Sequence, residues 1–306
     1  FFYIFFYIGE AAAATSGDVY FGENIMPTKT DHARSMSATH TYFDTIPEEL
    51  RWLYPATLGI WEMAPGDITR EMVMLLKSGG KAIVTPTKVG YIVMTVDREG
   101  LVKKFAMKGR PRSKPGVVLL SSLDQLEELA VVNDNIRGLY QSCWQKDILL
   151  GCILPWHLEA ADRYIPQDGA RDMVQDARGT SCFVIKYGDP SERIAAHLWE
   201  NDRMLSFASS ANPSGKGNRG QLQYVGDDII AKADHLVFAD SFVAGQQPEK
   251  TIETRWEQGV MVSMVDGEGQ LIDLPVVIRR GLVLEQVMLE MSKIYDSFDY
   301  RHGAYH

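Results

Sequence analysis

Four basic residues fall within seven positions in Lys108-Gly109-Arg110-Pro111-Arg112-Ser113-Lys114-Pro115, directly before the apolar run Val117-Val118-Leu119-Leu120. Arginine grips phosphate oxygens with a planar fork and lysine supplies a point charge, while the two prolines leave the cations little freedom to lose when an anion binds. That is the equipment for a polyphosphate; the alternative is a basic loop that simply faces water. A second stretch, Ser209-Ser210-Ala211-Asn212-Pro213-Ser214-Gly215, follows the strand-like residues 204–208. Hydroxyl and amide groups at a strand end give a turn of donors and acceptors against which a nucleotide can lie, because open α/β sheets bind ligands at strand ends. An ordinary Ser/Asn/Pro/Gly turn has the same composition.

Other chemistries lack their pattern. Gly215-Lys216-Gly217-Asn218-Arg219-Gly220 fits G-x-G-x-x-G, but a dinucleotide fingerprint needs a strand directly before its first glycine and a helix opening behind it. Here a polar turn precedes it. Gly79-Gly80-Lys81-Ala82 lacks the Ser/Thr and the spacing of a phosphate-cradling loop, no G-x-S-x-G occurs, and the seven histidines are scattered without metal-ligand spacing. No protein-held metal is expected. The three cysteines, Cys143, Cys152 and Cys182, show no C-x-x-C spacing, so a reducing, cytoplasmic setting is expected rather than a disulfide framework.

These stretches need elements to position them. Nearly half the residues are apolar and about a quarter are charged along the whole length, the composition of a globular protein with a sizeable core. A formal charge of −9 argues against a surface devoted to nucleic acid, although a basic groove can hide in an acidic total. Asp67-Ile68-Thr69-Arg70-Glu71 offers a helix start, with Met72, Leu75 and Leu76 at helical spacing and a stop at Gly79-Gly80. Strands are expected at 82–84, 91–96, 117–120, 148–154, 182–186, 204–208, 235–239, 260–265 and 276–279, and helices near 99–107, 123–130, 135–144, 191–200, 227–233 and 283–294. Strands and helices do not alternate strictly, and Asp266-Gly267-Glu268-Gly269 reads as a hairpin turn, so an α/β fold with a mixed sheet is expected.

Residues 1–66 read as an N-terminal extension and 67–306 as the main domain. The apolar opening Phe1-Phe2-Tyr3-Ile4-Phe5-Phe6-Tyr7-Ile8 is far below the roughly 20 residues of a spanning helix, so no membrane anchor is expected. Met26-Pro27-Thr28-Lys29 reads like an ordinary protein start, which sets residues 1–25 apart as a leader; an extra N-terminal strand is the alternative. The extension is a candidate surface for a partner protein.

In order and spacing, P-T-K-V-G-Y at 86–91, K-G-R-P-R-S-K-P at 108–115, S-S-A-N-P-S-G at 209–215 and V-I-R-R-G at 277–281 resemble the YrdC-like (threonylcarbamoyl-AMP synthase) family. The resemblance implies an open twisted mixed α/β sheet with a large basic cavity, and a nucleotidyltransferase-type enzyme that turns ATP, bicarbonate and L-threonine into threonylcarbamoyl-adenylate and pyrophosphate, for a modified tRNA adenosine. It assigns Lys108, Arg110 and Lys114 to the ATP phosphates as the catalytic cations. Ser209, Ser210 and Asn212 would lie against the nucleotide, and Arg279 would complete the basic wall. Thr87, Val89, Tyr91, Leu119 and Lys186 would line the amino-acid side. Mg²⁺ would arrive with the triphosphate rather than in a protein cage, and tRNA would be involved only indirectly.

The chain departs from the family on one side. Lys88 and Val89 stand where the family has an acid and a Thr/Ser, and Leu119 where many members have a histidine. The middle W-P-G-P-L-T segment is reduced to Trp144 before Gln145-Lys146-Asp147, and the A-V-R-x-P strand to Val184-Ile185-Lys186-Tyr187. A polar pocket that loses its partners discriminates poorly for its old ligand. The expectation is therefore an ATP-dependent enzyme forming an acyl- or carbamoyl-adenylate on a small amino-acid-derived substrate other than free threonine, such as an N-acyl amino acid. Threonylcarbamoyl-AMP synthesis and non-catalytic double-stranded RNA binding are the alternatives.

Overall fold

The computed structural model describes residues 65–109 and 115–302. The extension up to residue 64, and Arg110 and Lys114 of the basic loop, lie outside the described residues. Helix α1 (Pro65–Lys77) opens on a proline, whose fixed φ and missing N–H suit a first helical turn. Ile68, Met72, Val73 and Leu76 form its buried face. After the glycine stop come β1 (Ile83–Thr87) and β2 (Gly90–Thr95), paired antiparallel around Lys88-Val89. Asp97 then caps α2 (Arg98–Lys108), accepting from Gly100 N at 2.7 Å and, with its other oxygen, from Gly80 N at 2.8 Å.

The chain continues through β3 (Val117–Leu119), α3 (Leu123–Leu129), α4 (Asp134–Gln145), β4 (Leu150–Pro155), α5 (Leu158–Tyr164), α6 (Arg171–Val174), β5 (Thr180–Ile185), α7 (Ser191–Asp202) and β6 (Ser206–Ser210). It closes with α8 (Asp227–Lys232), β7 (His235–Leu236), α9 (Asp240–Gln246), β8 (Val260–Val265), β9 (Leu271–Arg279), α10 (Leu284–Ser292) and β10 (Asp299–Tyr300). Among the described residues the strands form a ten-stranded sheet in the order β10-β9-β8-β4-β5-β3-β6-β2-β1-β7. The neighbours β1/β7, β3/β5, β4/β8 and β9/β10 run parallel and the rest antiparallel. The sheet is mixed, as expected, and the Asp266 turn joins β8 to β9: its carboxylate accepts from Glu268 N and Gln270 N, each at 2.9 Å. The short α5, α6, α9 and β10 are additions to the sequence reading.

Both faces of the sheet are packed. Leu101 and Phe105 of α2 join α3, α4 and α10 over Val118, Phe183, Phe207 and Val262. On the opposite face α1 and α7 cover Ile83, Ile92, Met94 and Leu119. A smaller cluster of Cys182, Met261 and Ile278, with Val117, Ile153, Val184 and Val276 around it, contains strand residues alone. All three cysteines are buried and unbridged. No helix among the described residues is long and apolar enough to cross a membrane.

One polar junction holds α10 to α4. Lys146, Lys293 and Ser142 all bond the buried Glu290 carboxylate, at 2.6, 2.8 and 2.6 Å, and pull its pKa down to about 2. A carboxyl with a lowered folded pKa stabilises above its unfolded value, near 4.5, and that contribution is lost as pH falls toward 2. Thermal melts between pH 7 and pH 3 should therefore show a shallower acid limb in Glu290→Gln than in the native chain; parallel limbs would contradict this.

Candidate active site

The Ser209–Gly215 turn leaves the C-terminal end of β6, which lies between β3 and β2. Side chains alternate across a strand. Ser209 stands opposite Val93, whose cluster includes Met107 of α2, whereas Ser210 stands opposite Ile92 on the α1/α7 face. Ala211 N donates to Tyr91 O at 2.7 Å, so the turn starts pinned to β2. From the other side Lys108, at the end of α2 and only 4% exposed, donates its ammonium to Asn212 O at 2.8 Å and to Ser210 O. Its own carbonyl accepts from Ser214 N at 3.2 Å. The side chain expected to hold phosphate thus also holds the turn.

Among the described residues, two buried polar atoms here have no hydrogen-bond partner: Ser209 Oγ and Asn212 Oδ1. Buried polar groups are nearly always satisfied, so such pairs mark places where a partner belongs. Asn212 is oriented by its amide, which donates to Pro213 O at 2.7 Å. One helical turn before Lys108, Lys104 is also fully buried, its Nζ 5.2 Å from the Phe105 ring centroid and 2.4 Å from where a Cβ on Gly116 would sit. Two ammonium groups on one face of α2 therefore reach the β6 end and the start of β3. Their i, i+4 spacing was visible in the sequence, but their burial was not.

The Gly215–Gly220 segment opens no helix; a short 3₁₀ turn at Leu222–Tyr224 follows instead. Asn218 is its centre. The Asn218 amide donates to Tyr91 O at 3.0 Å, and its Oδ1 accepts from Gly220 N at 2.9 Å. Tyr91 O thereby joins β2 to both Ala211 and Asn218. The glycine fingerprint is a brace behind the turn, not a dinucleotide cradle.

On the side read as the amino-acid pocket, several side chains are committed internally. Thr87 Oγ1 donates to Gly90 O at 2.6 Å and accepts from Val89 N at 3.3 Å, closing the β1–β2 turn. Tyr91 is fully buried: its hydroxyl donates to Asp240 at 2.6 Å and accepts from Ala239 N at 2.9 Å. Burial raises the Asp240 carboxyl, and the bonds from Tyr91 and Leu222 N partly offset it. Val89 and the buried Leu119 belong to one apolar cluster with Tyr187 and Leu149. Lys186 sits 3.5 Å from Asp147, 3.7 Å from Glu192 and 4.7 Å from the Trp144 ring centroid.

Arg279 lies apart, on β9, five strands from β6. A bulge between β8 and β9 sets it opposite Met261, and its Nε donates to Gly259 O at 2.9 Å. Burial pushes the neighbouring Cys182 thiol up to about 12, with the Arg279 charge opposing the rise. The structure therefore gathers Lys108, Ser209, Ser210 and Asn212 into one site, sets Thr87 and Val89 on the adjoining hairpin, and leaves Arg279 at the far side of the strand-built cluster.

Comparison with known proteins agrees with this architecture. The Sua5/YciO/YrdC family model, described as telomere recombination, matches residues 75–257. A hypothetical protein of Streptococcus mutans UA159 superposes with a TM-score of 0.73 at 47% identity, over 77% of this chain and 95% of that one. The threonylcarbamoyl-AMP synthase of Pyrococcus abyssi (strain GE5 / Orsay) is 25% identical over 180 residues, 58% of this chain but only 48% of the relative's length. Sua5 of P. abyssi, solved in complex with L-threonine, shares the fold at a TM-score of 0.53 and 21% identity, over 74% of this chain and 58% of that one. With the family model matching more than half its length and the same mixed sheet carrying the turn, this chain belongs to the Sua5/YciO/YrdC family.

Proposed function

We propose that the chain binds ATP with Mg²⁺ and activates a carboxylate or carbamate of a small amino-acid-derived substrate as an adenylate. The observation that carries this reading is the β6 turn, where a buried ammonium is fixed on two carbonyls beside Ser209 Oγ and Asn212 Oδ1, which have no partner among the described residues. Such a pocket offers positive charge and unmet hydrogen-bonding capacity at a strand end, which suits a nucleotide's phosphates and polar edges.

In the reaction an oxygen of the carboxylate attacks the α-phosphorus, the bond to the bridging oxygen breaks, and pyrophosphate leaves with the electron pair. Little side-chain chemistry is needed. Cations neutralise charge building on the leaving group, and fixed donors keep the attack in line. Lys108 would supply charge at the turn, with Arg110 and Lys114 of the basic loop completing the phosphate site, and Mg²⁺ would arrive with the triphosphate and add positive charge there. The test is pyrophosphate release from ATP against a panel of amino acids and N-acyl amino acids, with ATP binding by calorimetry. The expected result is binding of Mg·ATP and release with at least one panel member; absence of both would end the proposal.

Threonylcarbamoyl-AMP synthesis is the second reading, favoured by the curated relative's activity. Threonine would have to be recognised where Val89 and Leu119 pack with apolar neighbours and the Thr87 hydroxyl closes its own turn. AMP-adduct formation that requires both threonine and bicarbonate would favour it over the first.

A further inference from the structure

The tip of the β1–β2 hairpin carries a charged cluster at positions where the chain departs from the family pattern. Lys88 Nζ lies 2.7 Å from Asp147 Oδ2 and donates to Asp147 O at 2.8 Å, while Lys186 Nζ lies 3.5 Å from Asp147 Oδ1. Two ammonium groups thus converge on one carboxylate. Their accessibility is unequal: the lysine side chains are 14% and 19% exposed, whereas that of Asp147 is 66% exposed. The cations are built into the wall and the anion stands in solvent.

The lysines are fixed by independent contacts. Lys88 N donates to Tyr187 O at 2.8 Å, and Lys88 O accepts from Gln247 at 3.3 Å, so the hairpin tip is docked on the chain that leaves β5. Lys186 rests over the Trp144 ring and 3.7 Å from Glu192, which is itself engaged by Gly188 N at 2.7 Å. Asp147 and Lys186 both have left-handed backbone, at φ 55° and 54°. Residues with a Cβ hold that conformation only where the surroundings impose it, and such residues gather at ligand sites. Tyr187 and Leu149, sequence neighbours of Lys186 and Asp147, are buried in one apolar cluster, against which the partly buried Val89 packs.

We propose that Lys88 and Lys186 bind a free carboxylate of the substrate, one that is not itself adenylated, and that this carboxylate takes the place of the Asp147 side chain. The Asp147 end of the pair is exposed, and ion pairs open to solvent are weakly held, so an incoming carboxylate displaces it. The substrate class is then an amino-acid derivative with two acidic groups, one held here and the other left to be adenylated; N-acetyl-L-leucine probes the first alone. This rests on the adenylate-forming reading for its place in turnover, but the binding step can be measured separately.

Calorimetry on the full chain saturated with Mg·AMP-PNP, titrated with N-acetyl-L-leucine and with N-acetyl-L-leucinamide, tests it. The acid should bind about tenfold more tightly than the amide, the size of one charge-assisted contact. Lys88→Met should erase that preference, Lys88→Arg should keep it, and Asp147→Asn should tighten the acid by removing its competitor. Equal binding of acid and amide, failure of either probe to bind, or Asp147→Asn weakening the acid as Lys88→Met does would each overturn the site. The prior binding of Mg·AMP-PNP in the same experiment reports separately on the nucleotide reading.

Discussion

Lys108→Met is expected to reduce ATP-dependent pyrophosphate release by about 10²-fold or more and to lower the melting temperature together with it. The ammonium does two jobs. It brings positive charge to the β6 end, and it satisfies the carbonyls of the half-buried Ser210 and the buried Asn212. Methionine fills a similar volume but donates nothing, so the buried Asn212 carbonyl loses a charged donor, at about 1–3 kcal/mol when left unsatisfied, and the part-buried Ser210 carbonyl loses one at about 1 kcal/mol. A loss of about 2–4 kcal/mol corresponds to roughly 4–16 °C in a chain of this size class. The turn carrying Ser210 and Asn212 would relax, and misplacement of about 1 Å at a reacting centre is enough for about 10²-fold in rate. Lys108→Arg keeps the charge without the point geometry and should recover stability more than activity. Melting curves and calorimetric ATP binding check both halves; unchanged ATP affinity in Lys108→Met would remove the turn from the nucleotide site.

How much of this was legible beforehand depends on the range of the interaction. Helices α1, α2, α4, α7 and α10 and most strands could be read because their apolar periodicity and caps are local, as with Asp97 ahead of α2. The helices α5, α6 and α9 span seven residues or fewer and have no side-chain N-cap, so neither periodicity nor a cap marks them; α3 is as short but is announced by its Ser122 cap, and α8 by two acids in its first turn. The β6 turn was visible from its residue types. That Lys108 would reach across 104 positions to Asn212 O, or Lys88 across 59 to Asp147, was not, because pairing partners far apart in sequence leave no local pattern. The resemblance placed Thr87, Tyr91 and Leu119 on the amino-acid side; for the same reason the sequence did not show that Thr87 Oγ1 closes a turn, that the Tyr91 hydroxyl bonds Asp240 or that Leu119 packs in the core.

Asn218 shows how a weak motif can conceal a structural role, and its flanking glycines provide the sharpest stability test. Gly215 and Gly220 both have positive φ, at 81° and 76°, so alanine at either pays the left-handed penalty of roughly 1–2 kcal/mol. They differ in surroundings: a Cβ at 215 would meet nothing within 4 Å, whereas a Cβ at 220 would sit 2.1 Å from the Trp256 ring. That ring cannot swing aside freely, since its indole N–H donates to Thr251 O at 3.0 Å and its backbone N–H to Asn218 O at 3.1 Å. Overpacking of this kind adds about 1–3 kcal/mol. Gly220→Ala should therefore be less stable than Gly215→Ala by about 2 kcal/mol in denaturant titrations, and only Gly220→Ala should lose ATP binding in step. The second effect follows because the Trp256 backbone is bonded to the residue that holds Tyr91 O, and Tyr91 O holds Ala211 at the start of the turn. Equal losses in the two variants would mean that the brace yields without disturbing the site, and the positioning role of Asn218 would fall with it.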